Sequence, residues 1–235
     1  MQAVSARAES ERMDATLTFE LSYANGESEQ RTARVIRHVD TGYRKVAMYF
    51  SEPRTLRGSA FLAWNADAAE VEDEQWLYLP ALRRVRRIPS RDRGQAFLGT
   101  ELSYGDISQA AKLELGDWVF TSAEPLQGAI WVVQGKVITQ AVAQDIGYSR
   151  GRWTVDIDRA FPIRSEYWDT QGEPLKVVEY RQIVERDGAL SADLIEVHNL
   201  KSDDKTRMAF SNVSVNAQAQ DQPELLSPAR LSHGP

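Results

Sequence analysis

Residues 13–51 read MDATLTFELSYANGESEQRTARVIRHVDTGYRKVAMYFS. Leu17, Phe19, Leu21 and Tyr23 alternate with Thr16, Thr18, Glu20 and Ser22, which is the period of a strand with one buried face. Asn25-Gly26 follows, a strong hairpin signal whose tight form needs positive φ at both residues. Residues 29–39 supply the partner strand. Asp40-Thr41-Gly42 turns the chain again, and residues 43–51 form a third strand with Val46, Met48 and Phe50 on one face. Three strands joined by short turns make a meander, which closes at small entropic cost.

The same rhythm continues outward. Strands are predicted at 58–65, 75–80, 83–88, 118–123, 129–138, 152–158, 163–170, 175–184, 192–200 and 206–215. The turn signals between them include Gln171-Gly172-Glu173-Pro174, Asp187-Gly188 and Ser202-Asp203-Asp204. Many short strands with regular turns predict a mainly antiparallel β domain: a sandwich, a barrel or a strongly curved sheet. Two segments break the pattern. Residues 89–111 carry Gly94, Gly99 and Gly105 without alternation and end in a short helix, and residues 139–149 permit a helix. The expected organisation is a helical remnant over 1–12, one domain over 13–216 and a tail over 217–235, read as surface-tracking or disordered.

Several strands are apolar on both faces: Phe61-Leu62-Ala63-Trp64, Trp76-Leu77-Tyr78-Leu79 and Ile130-Trp131-Val132-Val133. A sheet with one wet face would not read this way. Both sides of these strands must be covered, and the irregular segment 89–111 is the candidate cover for the concave side.

Composition narrows the function. The chain has 235 residues, 42% of them apolar and 26% charged, enough to bury a core without covalent staples. Its 28 basic and 34 acidic residues give a net charge of −6, which argues against nucleic acid as a partner of the whole molecule. The absence of cysteine removes disulfides, thiolate metal sites and a Cys nucleophile. No apolar run has the length of a membrane-spanning helix. Residues 1–9 lack the apolar core of a signal peptide, and the stub from Gln2 to Arg12 begins abruptly without a cap. The expectation is that Met1 stands in place of an upstream segment.

Catalytic and metal patterns are sparse. His38, His198 and His233 stand in no ligand spacing, and neither a GxSxG elbow nor a P-loop occurs. Asp156 and Asp158 share one strand face, Glu72-Asp73-Glu74 lacks the spacing of a calcium loop, and both read as solvated. No cofactor and no metal are expected. The unusual group is basic: Arg83, Arg84, Arg86, Arg87, Arg91 and Arg93. Arginine throughout favours planar, bidentate partners. Three partners compete: the acidic loop 70–74, lipid headgroups, or an acidic partner protein. The stretch lacks the interleaved aromatics that stack on bases.

Three pieces carry a resemblance. They are GSAFLAW over 58–64, DEQWLYLPALRRVRRI over 73–88 and FLGTELSYGDI over 97–107, with Tyr148-Ser149, PIRSEYWD over 162–169 and Lys205-Thr206-Arg207 as later pieces. Together they resemble the outer-membrane lipoprotein-sorting-like family, relatives of the LolA and LolB lipoprotein carriers, across residues 13–216. The resemblance implies a strongly curved antiparallel half-barrel with short helices plugging its concave mouth. It also implies a periplasmic location in a Gram-negative envelope and a role in shielding a lipid or lipoprotein acyl chain during transfer. A membrane transporter of the resistance-nodulation-division (RND) type is an implied partner. The family offers no catalytic residue, so no enzyme is expected.

On this reading the hydrophobic cavity is lined by Leu17, Phe19, Leu21, Val46, Met48, Phe50, Leu62, Trp64, Trp131 and Val133, with Phe97 and Leu98 as its lid. The competing reading is a filled barrel that docks an envelope transporter through its arginine-rich strand. A hydrolase is a distant third.

Overall fold

Thirteen strands follow one another along the chain, and each pairs antiparallel with its neighbours. In order they are β1 Arg12–Ser22, β2 Ser28–Asp40, β3 Tyr43–Glu52, β4 Ala60–Ala66, β5 Glu74–Leu79, β6 Arg84–Ile88, β7 Trp118–Gln127, β8 Ile130–Val137, β9 Arg150–Asp156, β10 Phe161–Trp168, β11 Pro174–Arg186, β12 Ala189–Asn199 and β13 Lys205–Val215. The helices are short: α1 over Tyr104–Gln109 and α2 over Gln140–Ile146. The computed structural model describes residues 1–2, 10–40, 42–68, 71–109 and 115–234. The expected N-terminal helix falls largely on residues 3–9, outside the described residues. At its far end the expectation is corrected: Arg12 already belongs to β1, opposite His38.

The strands form one sheet in the order β6-β5-β4-β3-β2-β1-β13-β12-β11-β10-β9-β8-β7. The chain therefore starts in the middle of the sheet, walks out to one edge at β6, crosses to the other edge at β7, and walks back until β13 pairs with β1. The sheet does not close on itself. Of the segment that follows β6, residues 89–109 lie over the concave face, where Phe97, Leu102 and Ile107 join the core.

The turns are local chemistry. Between β11 and β12, Asp187 and Gly188 both take positive φ, 50° and 75°, as a two-residue hairpin requires. The Asn25-Gly26 turn differs from its expectation. Only Gly26 is left-handed, and Tyr23 N–H donates to Glu27 O at 2.9 Å. This is the three-residue loop with a glycine bulge, and Asn25 Oδ1 accepts from Glu27 N at 2.9 Å to hold it. Thr139 caps α2 through Oγ1, which accepts from Val142 N, and Gly147 ends it at φ 84°. Gly94 packs against that end, and a Cβ there would lie 2.9 Å from Gly147 N.

Strand alternation divides the apolar residues between two faces. On the concave face Leu17, Phe19, Leu21, Val46, Met48, Phe50 and Phe61 pack with Phe97 and Ile107 of the crossover. A second concave cluster, Trp118, Val133, Tyr148, Trp153 and Val155, lies on the other half of the sheet. The convex face holds Ile36, Tyr49, Leu62, Trp64 and Trp76 under the C-terminal residues Leu225, Leu226 and Leu231. The tail tracks this surface and seals it: Leu231 is fully buried, Tyr49 donates its hydroxyl to Leu225 O at 2.5 Å, and Trp64 Nε1 donates to Leu226 O at 2.9 Å. The two-sided apolar strands β4 and β5 are thus covered by the crossover on one side and by the tail on the other.

Candidate functional site

A slender cavity of about 180 Å³ runs along the concave face between the two clusters. Its walls are apolar: Val35, Val46 and Met48 from β2 and β3, Ile195, Met208 and Phe210 from β12 and β13, and Val178 from β11. On β11 the lining extends from Val178 to Arg186, a path of about 26 Å at the usual strand rise. The volume is little more than the roughly 150 Å³ of a cavity that takes one benzene. A volume that small holds part of one chain and not two.

Both ends are polar. At one end Arg186 holds Asp193 with Nη1 to Oδ1 at 2.8 Å and Nη2 to Oδ2 at 2.6 Å. At the other end a buried network closes on Asp106 of α1. Lys176 Nζ donates to Asp106 Oδ2 at 2.5 Å and to Glu101 O at 3.2 Å, and Lys176 is only 5% exposed. Tyr148 donates its hydroxyl to the same carboxylate, 2.8 and 2.9 Å from its two oxygens, and Ser103 N donates to Oδ2 at 2.7 Å. Burial pushes the Asp106 carboxyl up, but the Lys176 charge and these hydrogen bonds outweigh it and hold the group below the ordinary carboxylate range. Burial, followed by the Asp106 charge, raises the Tyr148 phenol well above its ordinary value. Tyr148 stacks on Tyr167 with ring centroids 4.5 Å apart. Tyr167 is raised too, first by burial and then by Tyr180 and Asp106, so both phenols stay protonated at neutral pH.

The crossover is pinned from both halves of the sheet. Arg31 of β2 donates to Leu98 O at 2.5 Å. Thr206 Oγ1 of β13 accepts from Glu101 N at 3.0 Å, and Asn199 Nδ2 of β12 donates to Glu101 Oε2 at 2.5 Å. Phe97 is fully buried against Phe61, Tyr104, Phe50 and Phe19, with centroids from 5.1 to 6.3 Å. The expected lid is thus an anchored plug.

Solved structures share this architecture. A domain from Vibrio parahaemolyticus, presumed to be an outer membrane lipoprotein-sorting protein domain, is 25% identical with a TM-score of 0.84, covering 98% of this chain and 96% of its own. A DUF1329 family protein from Desulfovibrio piger is 19% identical at a TM-score of 0.83, covering 98% and 94%. A LolA superfamily protein from Nitrosomonas europaea is 17% identical at 0.70, covering 95% and 92%. A family model described as "Uncharacterized protein" matches residues 42–224. The chain belongs to the LolA-like family. A comparison with curated proteins gave no match.

Within this LolA-like fold the ten expected lining residues divide by face. Val46 and Met48 line the cavity. Leu17, Phe19, Leu21 and Phe50 lie on the same face but are packed solid under the Phe97 plug. Val133 belongs to the second concave cluster, and Trp131, opposite Val155 in the β8–β9 pairing, points the same way without lining the cavity. Leu62 and Trp64 are a correction. Leu62 pairs with Ala47 and Trp64 with Lys45, so they share the parity of the convex residues and lie beneath the tail. Their inward neighbours are Phe61 and Ala63.

The arginines also separate. Arg93 donates to Asp73 O and lies 3.8 Å from its carboxylate, and Arg87 reaches Glu74 at 3.4 Å. Arg83, Arg84, Arg86 and Arg91 are exposed around the edge strand β6. None of these four forms an ion pair among the described residues. Also among the described residues, no group of histidine and acidic side chains is arranged to hold a metal, and no helix is long and apolar enough to cross a membrane.

Asp106, Tyr148, Tyr167 and Lys176 were not singled out by sequence reading as site residues. Three of them stand in quoted pieces, SYGDI, Tyr148-Ser149 and PIRSEYWD, which are far apart in the chain. Only the fold brings them to one end of the cavity.

Proposed function

We propose that this chain is a carrier or binding protein for a lipid or lipoprotein acyl chain, working in the periplasm and moving hydrophobic cargo across a Gram-negative envelope. One observation carries the reading: a slender apolar cavity remains open between two packed aromatic clusters in a LolA-like fold. The Vibrio parahaemolyticus domain, with its lipoprotein-sorting description, supports the class of cargo. Family membership points to carriage and to no catalytic family.

The energetics suit the role. Each buried methylene gains about 0.8 kcal/mol, so the roughly six that such a volume can hold gain about 5 kcal/mol. That is comparable with the roughly 4–15 kcal/mol cost of association. Binding is then firm enough to shield cargo and weak enough to release it. Met48 and Met208 in the wall adapt to chain shape without branching constraints.

The test is native mass spectrometry of protein purified from a Gram-negative host, followed by solvent extraction and lipid identification. A lipid bound at defined stoichiometry is the expected result. Protein that arrives empty and also refuses added acyl ligands would sink the carrier reading.

A second reading rests on the free cationic edge. Arg83, Arg84, Arg86 and Arg91 have no ion-pair partner among the described residues. They suit an acidic surface on an envelope protein, with an RND-type transporter as the proposed partner. Replacing Arg84, Arg86 and Arg87 together with Ser should abolish that docking.

A further inference from the structure

The carrier reading leaves open which end of a ligand the cavity recognises. The hydrogen-bond capacity of its inner end decides this. Tyr167 Oη accepts from Trp153 Nε1 at 3.4 Å, and the Ser165 hydroxyl, two residues away on the same face of β10, is within its hydrogen-bonding reach. Ser165 is 1% exposed, and both residues line the cavity. The two hydroxyls carry two protons. One can bridge them, in whichever direction, and the other makes no hydrogen bond to a described residue. A buried donor without an acceptor is costly, and this one faces open space.

The charged groups nearby are already satisfied. Lys176 is committed to Asp106 and Glu101 O, so it offers no free cation to an anion. The Asp106 carboxylate, itself part of the cavity lining, would repel one. At the far end Arg186 is held at both Nη atoms by Asp193. An anionic head seated beside Ser165 and Tyr167 would therefore meet a lysine that is already neutralised and a carboxylate that repels it, at a large desolvation cost. A hydroxyl or carbonyl oxygen would accept the spare proton at no such cost.

Resting on the carrier reading, we infer that this cavity selects a single-chain neutral amphiphile whose hydroxyl or carbonyl oxygen binds the Ser165–Tyr167 pair. Fatty carboxylates and phosphate headgroups are disfavoured. Tyr167 supplies the recognition contact, and the Asp106–Lys176–Tyr148 network holds Tyr167 in place through the ring stack.

The experiment is equilibrium dialysis of delipidated protein against labelled 1-dodecanol, dodecanoate and dodecane. The alcohol is expected to bind about tenfold tighter than either of the others, the worth of one good hydrogen bond to a satisfied partner. In Tyr167→Phe the alcohol-to-alkane ratio should collapse toward one. Ser165→Ala tests the same pair should the first variant fail to fold. Dodecanoate binding as tightly as the alcohol would overturn the inference and leave the carrier intact, as would an alcohol-to-alkane ratio unmoved in a folded variant. Failure of all three ligands to bind would overturn the carrier reading and this inference with it.

Discussion

Lys176 of β11 and Asp106 of α1 form a buried ion pair at 2.5 Å that ties the crossover to the half of the sheet the chain builds last. Removing one charge leaves the other buried and unpaired, which costs about 3–5 kcal/mol. Asp106→Asn is expected to lose stability on that scale in urea unfolding. The pH dependence follows from the depressed carboxyl. Its contribution is complete above the unfolded carboxylate value of about 3.9 and is lost as pH falls through the lower folded value. The acid side of the stability profile should therefore be steeper in the wild type than in Asp106→Asn. Equal slopes would count against the pair.

Phe97 tests the plug. Phe97→Ala removes a fully buried ring from four aromatic neighbours and should cost about 3–5 kcal/mol. It also leaves a hole beside the cavity, so the variant should take up bulkier apolar ligands than the wild type does. A ligand-size limit unchanged in folded Phe97→Ala would show that the plug does not bound the cavity.

The C-terminal seal is separable by truncation. Ending the chain after Asp221 removes Leu225, Leu226 and Leu231 from the convex cluster and should lower Tm while raising the binding of a hydrophobic dye. Burial, moderated by Arg230 and Arg34, pushes the Tyr49 phenol up to about 12. In the truncated chain it should return toward about 10, read as an alkaline absorbance difference against the full chain. Ligand affinity should persist, because the cavity lies on the opposite face.

The cationic edge makes an ionic-strength prediction. Association through Arg83, Arg84, Arg86 and Arg91 should weaken steeply between low and physiological salt, and acyl binding should not. Surface plasmon resonance against anionic vesicles and against an acidic protein partner, each across a salt series, separates the two. A salt-insensitive association that survives the triple Ser replacement would exclude the edge as the contact.

Most of the architecture was legible. All thirteen strands were expected within a few residues of their ends, because alternation and turn residues are local properties. Parity was harder. In Phe61-Leu62-Ala63-Trp64 every position is apolar, so the sequence holds no mark of which pair faces inward. The register against Val46 and Met48 decides it. The tail's seal was harder to read for a related reason: Leu225, Leu226 and Leu231 sit among prolines and polar residues without a period, and only the apolar convex face gives them a place. The Asp106 network was invisible because its members are separated by up to 70 residues and each alone reads as ordinary.

The seam between β1 and β13 pairs Met13 with Val215 and Leu17 with Phe210. Contacts of such long sequence separation are the slow ones to form. The cavity takes wall residues from both sides of this seam, Val46 and Met48 on one and Met208 and Phe210 on the other. A chain emerging N-terminus first can therefore complete its first meander early, but it has nowhere to put a ligand until its last strand has arrived and docked. On the carrier reading, loading competence is therefore a property of the finished chain.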